Sequence, residues 1–252
     1  MRETKQALTF LLRAFRHRNY RLYFGGQALS LVGTWMQQIG MSWLAYRMTG
    51  SALILGLIGF VGQGPALLAS PVAGVFADRL DRHIFLIILQ ILAMIQAAVL
   101  TFLTLSGTVA VWHLFVLAAF LGFINAFEIP TRQAFFMDML ERKEDLANAI
   151  ALNSFTFNIT RLVGPSVAGV VIGFAGEGVC FLLNTLSFSG IIVALLVIRT
   201  RKWRGSPFNT PLLQGMREGF SYAFHFAPIK YILILVALVS LTGMPYLGLM
   251  PI

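Results

Sequence analysis

Charge is scarce in this chain. Asp, Glu, Lys and Arg make up 12% of its 252 residues, with only 10 acidic side chains, while hydrophobic residues reach 58%. A soluble domain carries roughly twice that share of charge. Too little polar material remains to coat a globule, which excludes an ordinary soluble enzyme, a disordered chain and a nucleic-acid-binding domain. Cysteine is nearly absent: Cys180 alone excludes an intramolecular disulfide framework and any cysteine-based metal cluster. The four histidines, His17, His83, His113 and His225, are scattered and read as interfacial polar residues. No Walker A loop, no H-E-x-x-H and no G-x-S-x-G pattern occurs, so nucleotide-driven transport and hydrolytic chemistry are not expected, nor a cofactor or a metal. No short apolar core with a small-residue cleavage site follows the basic positions 2–21, so a secretory leader is not expected.

What the sequence has instead is long apolar runs. A bilayer core of about 30 Å needs roughly 20 apolar residues per helix. Six complete spans meet that requirement, at 22–46, 53–77, 84–105, 111–135, 150–174 and 179–198, and a seventh begins near 229. The fold class is therefore all-α integral membrane: a six-helix N-terminal bundle plus the start of a further helix. Residues 1–21 read as a cytoplasmic amphipathic segment, with 7–20 lying along the membrane surface. Residues 22–198 form the bundle, 199–228 a cytoplasmic linker with an amphipathic helix at 212–226, and 229–252 the start of a second bundle. The chain reads as the first half of a larger molecule. Short links around Gly50, Gly107 and Gly176 join antiparallel neighbours; the longer connections, 78–83 and 138–145, are charged.

The basic residues decide orientation. Those outside the spans lie almost entirely before the first span and after the second, fourth and sixth; Arg47 alone lies on the other side. Such an imbalance places the N-terminus in the cytoplasm. It also accounts for the net charge of +9 as a topology signal and a contact with anionic headgroups rather than a nucleic-acid footprint.

Polar residues inside the spans are the candidate functional ones. Asn125, Glu128 and Arg132 share one face of the fourth span, at i, i+3 and i+7, beside Pro130. A carboxylate there costs a few kcal/mol unless paired or wet. It is either a structural i, i+4 pair with Arg132 or a coupling site. On the fifth span Ser154, Asn158, Arg161 and Pro165 share a face, and Arg161 sits about 16 Å in, near mid-depth. It either faces a cavity, where it would stabilise anionic groups, or locks helices together. Gly164, Ala168 and Gly169 suit close helix packing. Gln37 or Gln38 in the first span is a cavity candidate; Gln63, beside Gly62, Gly64 and Pro65, reads as a helix-packing hydrogen bond. Between the second and third spans, Gly74 suits close backbone approach, and Asp78, Arg79 and Arg82 form a loop that is either topogenic or conformational.

That loop, Gly74, Asp78, Arg79, Asp81, Arg82 and His83, resembles the G-x-x-x-D-R-x-G-R-R/K loop of the major facilitator superfamily, with Asp81 in place of the second glycine and His83 in place of the last basic residue. Gly164, Pro165 and Gly169 resemble the fifth-helix G-P-x-x-x-G element of superfamily antiporters. Residues 15–23, the run Pro130, Thr131 and Arg132, and Asn158 with Arg161 are similar to the enterobactin-exporter-like branch, and the resemblance covers residues 16–252. It implies a twelve-helix transporter of two six-helix halves with alternating access. The expected function is a secondary active exporter of the bacterial inner membrane, coupled to protons, moving a siderophore or drug-like compound. The resemblance also makes Asp78 a conformational residue that ties the second span to a neighbour or to Arg132. A non-transporting scaffold or assembly subunit is the rival, and the charges at Glu128 and Arg161 argue against it.

Overall fold

A computed structural model describes residues 13–140, 143–199, 226, 231, 232 and 235; within the second long helix the side chains of residues 67, 68, 70, 71, 75, 77 and 78 are not described. The chain divides into a unit of residues 1–205 and a second of 206–252. In the second, Tyr231, Ile232 and Leu235 are helical and exposed. The linker, its amphipathic helix, His225 and the rest of the seventh span lie outside the described residues.

Six long helices build the first unit: α1 Arg18–Thr49, α2 Ala52–Arg79, α3 Arg82–Leu105, α4 Val111–Met139, α5 Leu146–Ala175 and α6 Glu177–Val197. All six expected spans are present as helices. By length and composition, α3, α4, α5 and α6 can each cross a membrane; α2 is apolar over the shorter stretch Ala52–Ala66, and α1 is diluted by its glutamines and arginines. α1 packs on α6 and α5, α2 on α4, and α3 on α6 and α4.

Several helices run past the apolar limits read from sequence. α1 starts at Arg18 rather than Leu22, so the surface helix expected over 7–20 is corrected over its described part, 13–20, while 7–12 lie outside the described residues. Residues Arg13–Arg16 form one 3₁₀ turn instead, with Ala14 fully buried. Its backbone N–H donates to Asn148 Oδ1 at 2.9 Å, His17 meets Asp145 at 2.9 Å, and the Tyr20 hydroxyl donates to the Ala149 carbonyl at 3.0 Å. These bonds fix the segment to the start of α5, because a buried polar group needs a partner. His17 is thus a buried structural group rather than an interfacial one.

The link between α2 and α3 is also shorter than expected. Leu80 and Asp81 alone separate the two helices, not a loop of 78–83. Asp81 is the N-cap of α3, accepting from the His83 and Ile84 backbone N–H groups at 3.0 and 3.3 Å. Aspartate is a strong cap, so the residue that replaces the motif's second glycine has a local reason to be there. Asp81→Ala is expected to destabilise the protein by about 1 kcal/mol, read as a lowered thermal midpoint in detergent; an unchanged midpoint would remove the cap from the account. At the other end of the bundle Gly50 and Gly176 close their turns at φ +62° and +81°, a region that favours glycine.

Two apolar clusters fill the interior, one near the basic end around Tyr20, Phe135, Phe136 and Ile191, the other around Leu44, Leu114, Cys180 and Phe181. A polar seam ties α1, α3, α4 and α6 together. Asn184 Nδ2 donates to Gln37 Oε1 at 2.8 Å, Gln37 Nε2 to Gln96 Oε1 at 2.9 Å, and Gln96 Nε2 to the Leu117 carbonyl at 3.2 Å. Helices approach closely where glycine permits. A methyl at Gly33 would strike Asn184 and Ser187, one at Gly122 would strike the Gly62 carbonyl, and one at Gly164 would strike Trp35.

Candidate functional site: an amide-lined cavity

A cavity of about 300 Å³ opens inside the bundle between α1, α2, α3 and α4, with Phe157 of α5 and Phe188 of α6 at its margin. Its polar lining is mostly neutral: Gln27, Ser30, Thr34 and Gln38 from α1, Gln63 from α2, Gln90 from α3 and Asn125 from α4. Apolar and aromatic side chains such as Leu31, Trp35, Leu121 and Ile124 complete the wall. A mostly apolar wall with a few convergent polar groups is the usual form of a small-molecule site.

The charged groups at the wall are Glu128 and Arg132. Both are buried, and Arg132 Nε lies 3.5 Å from Glu128 Oε1. Gln90 Nε2 donates to the same carboxylate oxygen at 3.4 Å. The Tyr23 hydroxyl stands beside the guanidinium and donates to Gln27 Oε1 at 3.1 Å. The i, i+4 spacing puts the two charges on one face of α4. Burial makes each the other's principal counter-charge, since an unpaired ion would be costly at this depth.

The other candidates distribute as follows. Gln38 is exposed on the cavity wall, whereas Gln37 is buried in the α1–α3–α6 seam, so the cavity reading belongs to Gln38. Gln63 is exposed and also lines the cavity, which corrects its reading as a packing residue. Asn125 is half-buried on the same wall. Gly164 is buried against α1, and Pro165 sits half-buried within α5. Gly169 is exposed with nothing near it, so of the expected small-residue contacts Gly164 and Ala168 are the buried ones. Asn158 is exposed on α5, donating to the Ser154 carbonyl at 2.8 Å. Arg161 is exposed too and does not line the cavity; its guanidinium lies 5.8 Å from the centre of the Trp35 ring. Among the described residues a methyl at Gly74 meets nothing, so no close backbone approach is seen there. Arg79 is half-buried, and Arg82 reaches Asp138 at 3.4 Å, tying the start of α3 to the end of α4. The Asp78 side chain lies outside the described residues. His83 Nε2–H donates to the Leu195 carbonyl at 2.7 Å and the ring stacks on Phe135, while His113 Nδ1 accepts from the Ala110 backbone N–H.

Gln27, Tyr23, Gln90, Gln96 and Trp35 belong to this architecture but were not singled out from sequence. For Gln90 and Gln96 a signal existed: they are the only amides in the otherwise apolar α3. Trp35 and Tyr23 gave none, because an aromatic residue in a span is ordinary on either face.

Residues 11–252 match the family described as transmembrane secretion effectors. The chain is 27% identical over 233 residues to the staphyloferrin A transporter of Staphylococcus aureus, covering 92% of this chain and 58% of that protein. It is 23% identical over 243 residues to macrolide efflux protein A of Streptococcus pyogenes, covering 94% and 60%. It is 27% identical over 215 residues to the multidrug efflux pump Tap of Mycolicibacterium fortuitum, covering 82% and 52%. The chain thus spans between half and three-fifths of the length of these relatives, which are transporters rather than enzymes.

Proposed function

The chain belongs to the transmembrane secretion effector family of the major facilitator superfamily, and on that premise we propose that it is the first six-helix half of a secondary active exporter. In this reading it works with a second bundle, alternates access to a central cavity, and expels a siderophore-like or drug-like organic compound in exchange for protons. In this reading it sits in the bacterial inner membrane with its N-terminus in the cytoplasm, which the distribution of basic residues supports. The relatives' names supply the substrate range and, for two of the three, the outward direction.

The observation that carries this reading is the amide-lined cavity with a buried Glu128–Arg132 pair in its wall. A scaffold has no use for an amide-lined cavity and a carboxylate at that depth, which costs stability. Gln38, Gln63 and Asn125 offer neutral hydrogen bonds to a substrate. Glu128 is the titratable group in reach of that space, and we assign it the proton. Arg161, over the Trp35 face and away from the cavity lining, braces α5 against α1 in this scheme. Arg82 with Asp138 holds the basic end, and Asp78 is assigned a part in setting which side is open.

The test is transport by the full transporter in proteoliposomes, with a fluorescent organic dye as the probe. An imposed pH gradient is expected to drive dye uphill without nucleotide. Dye that only equilibrates, whatever the gradient, would overturn the exporter reading.

A further inference from the structure

We propose that the portion of the substrate held by this cavity is uncharged and rich in oxygen, such as an amide, ester or lactone carbonyl, and that the cavity excludes a carboxylate. The inference rests on the reading of the cavity as the substrate site and narrows what that site takes.

Three unspent amides carry it. Gln38 on α1, Gln63 on α2 and Asn125 on α4 line the cavity, and none of these side chains has a hydrogen-bond partner among the described residues. Gln37 and Gln96 differ, because their amides are used up in the seam between helices. Each free amide offers an acceptor oxygen, donor hydrogens and no charge. A neutral polar group entering the cavity can be matched from three helices, in either hydrogen-bonding direction.

The charges of the wall cancel. Of the arginines on the six helices, Arg132 alone lines the cavity, and the Glu128 carboxylate 3.5 Å away balances it. Arg161 lies over Trp35 and outside the lining. On that side Trp35 and Phe157, edge to face at 5.5 Å, present aromatic surface instead. A carboxylate entering this space leaves bulk water, finds no unpaired cation among the described residues of the wall, and comes near the Glu128 carboxylate. Burying an ion on those terms costs far more than burying an amide. An ammonium group fares no better, since Arg132 repels it as Glu128 attracts it. Proton exchange leads to the same answer. Substrate loads when the proton is off, the state in which Glu128 is ionised and Arg132 is balanced. At about 300 Å³ the cavity is at the small end of ligand sites, so it holds one portion of a drug-sized compound.

The test is equilibrium dialysis of the purified full transporter in detergent at neutral pH, with empty micelles as the blank. The probes are fluorescent methoxycoumarins bearing an acetamide, an acetate or an ethylammonium arm. The acetamide is expected to bind at least about tenfold more tightly than either charged probe. Gln63→Leu is expected to weaken acetamide binding about fivefold, the loss of one neutral hydrogen bond, and to leave acetate binding unchanged. Gln63→Lys puts an unpaired cation in the wall and is expected to strengthen acetate binding at least about tenfold. Gln63 is exposed on the wall, so both variants spare the apolar clusters; if Gln63→Lys does not fold, Gln38→Lys makes the same test from α1. A charged probe that binds as tightly as the acetamide, an acetamide that does not bind, or an acetate affinity untouched by the new lysine overturns the proposal. Competition with the transported dye separates the two levels. If dye displaces the acetamide but no pH gradient drives dye uphill, the exporter reading fails and this proposal stands. If dye is exported uphill and the acetate competes with it as well as the acetamide does, this proposal alone fails.

Discussion

Glu128→Gln is expected to abolish uphill export while leaving downhill movement of the same substrate intact. For a one-for-one exchange, a pH difference of one unit supports about a tenfold concentration ratio. In the Gln variant that ratio falls to about one, because the amide cannot carry a proton across. The variant keeps a hydrogen-bond acceptor but removes the counter-charge of Arg132, so its folding is checked by size exclusion before the assay. The Gln carbonyl still accepts from Arg132, the Gln90 amide retains an oxygen partner, and Tyr23 remains beside the guanidinium. The rival is that Glu128 stays ionised and only staples α4 to itself. Under that rival, uphill export by Glu128→Gln continues at the parent ratio, measured in proteoliposomes at matched protein density.

The second large effect is structural. Gly122→Val is expected to prevent assembly of the bundle. A Cβ at Gly122 meets the Gly62 carbonyl oxygen and carbon of α2, with the Pro65 ring also near. Backbone cannot rotate out of the way as a flexible side chain would, so α2 and α4 must separate along their length. Overpacking of this kind costs about 1–3 kcal/mol in a soluble core, and more is expected where two helix backbones collide. Gly62→Ala is the matched control, since a methyl there lies 3.8 Å from Ala118, an ordinary contact. Size-exclusion profiles of detergent extracts are expected to show a folded Gly62→Ala protein and loss of the monodisperse Gly122→Val peak. Equal peaks would mean that α2 and α4 do not touch there.

The number and order of helices were legible in the sequence because bilayer thickness sets a length that hydropathy reports directly. Their ends were not. α1 begins at Arg18 and α4 runs to Met139 because a helix continues wherever its backbone bonds are satisfied, and polar residues continue it as well as apolar ones. The Asp81 substitution looked like a defect in a glycine motif. Its value as a cap appears only once the start of α3 is fixed at Arg82.

The site was half legible for a related reason. Glu128 and Arg132 belong to one helix, so their spacing put them on one face. Gln37 and Gln38 are neighbours about 100° apart on α1, and nothing local says which side faces the cavity. The partners that complete the charge pair, Gln90 and Tyr23, come from α3 and α1. Contact between helices depends on rotation and tilt, which a single span does not encode. Arg161 shows the same limit: its depth was readable, but its placement over Trp35 followed from the close approach that Gly164 permits.

The central claim is that the amide-lined cavity is the substrate site and opens alternately to the two sides. Side-specific labelling of a Gln63→Cys protein tests it most directly. The one thiol of this chain, Cys180, is 0% exposed, and any thiol of the second half is replaced before labelling. A membrane-impermeant maleimide is applied to right-side-out and inverted vesicles containing the full transporter. Labelling is expected from both sides, each favoured at a different pH, with protection from both by transported dye. Labelling from one side at every pH, with no protection by dye, would contradict it.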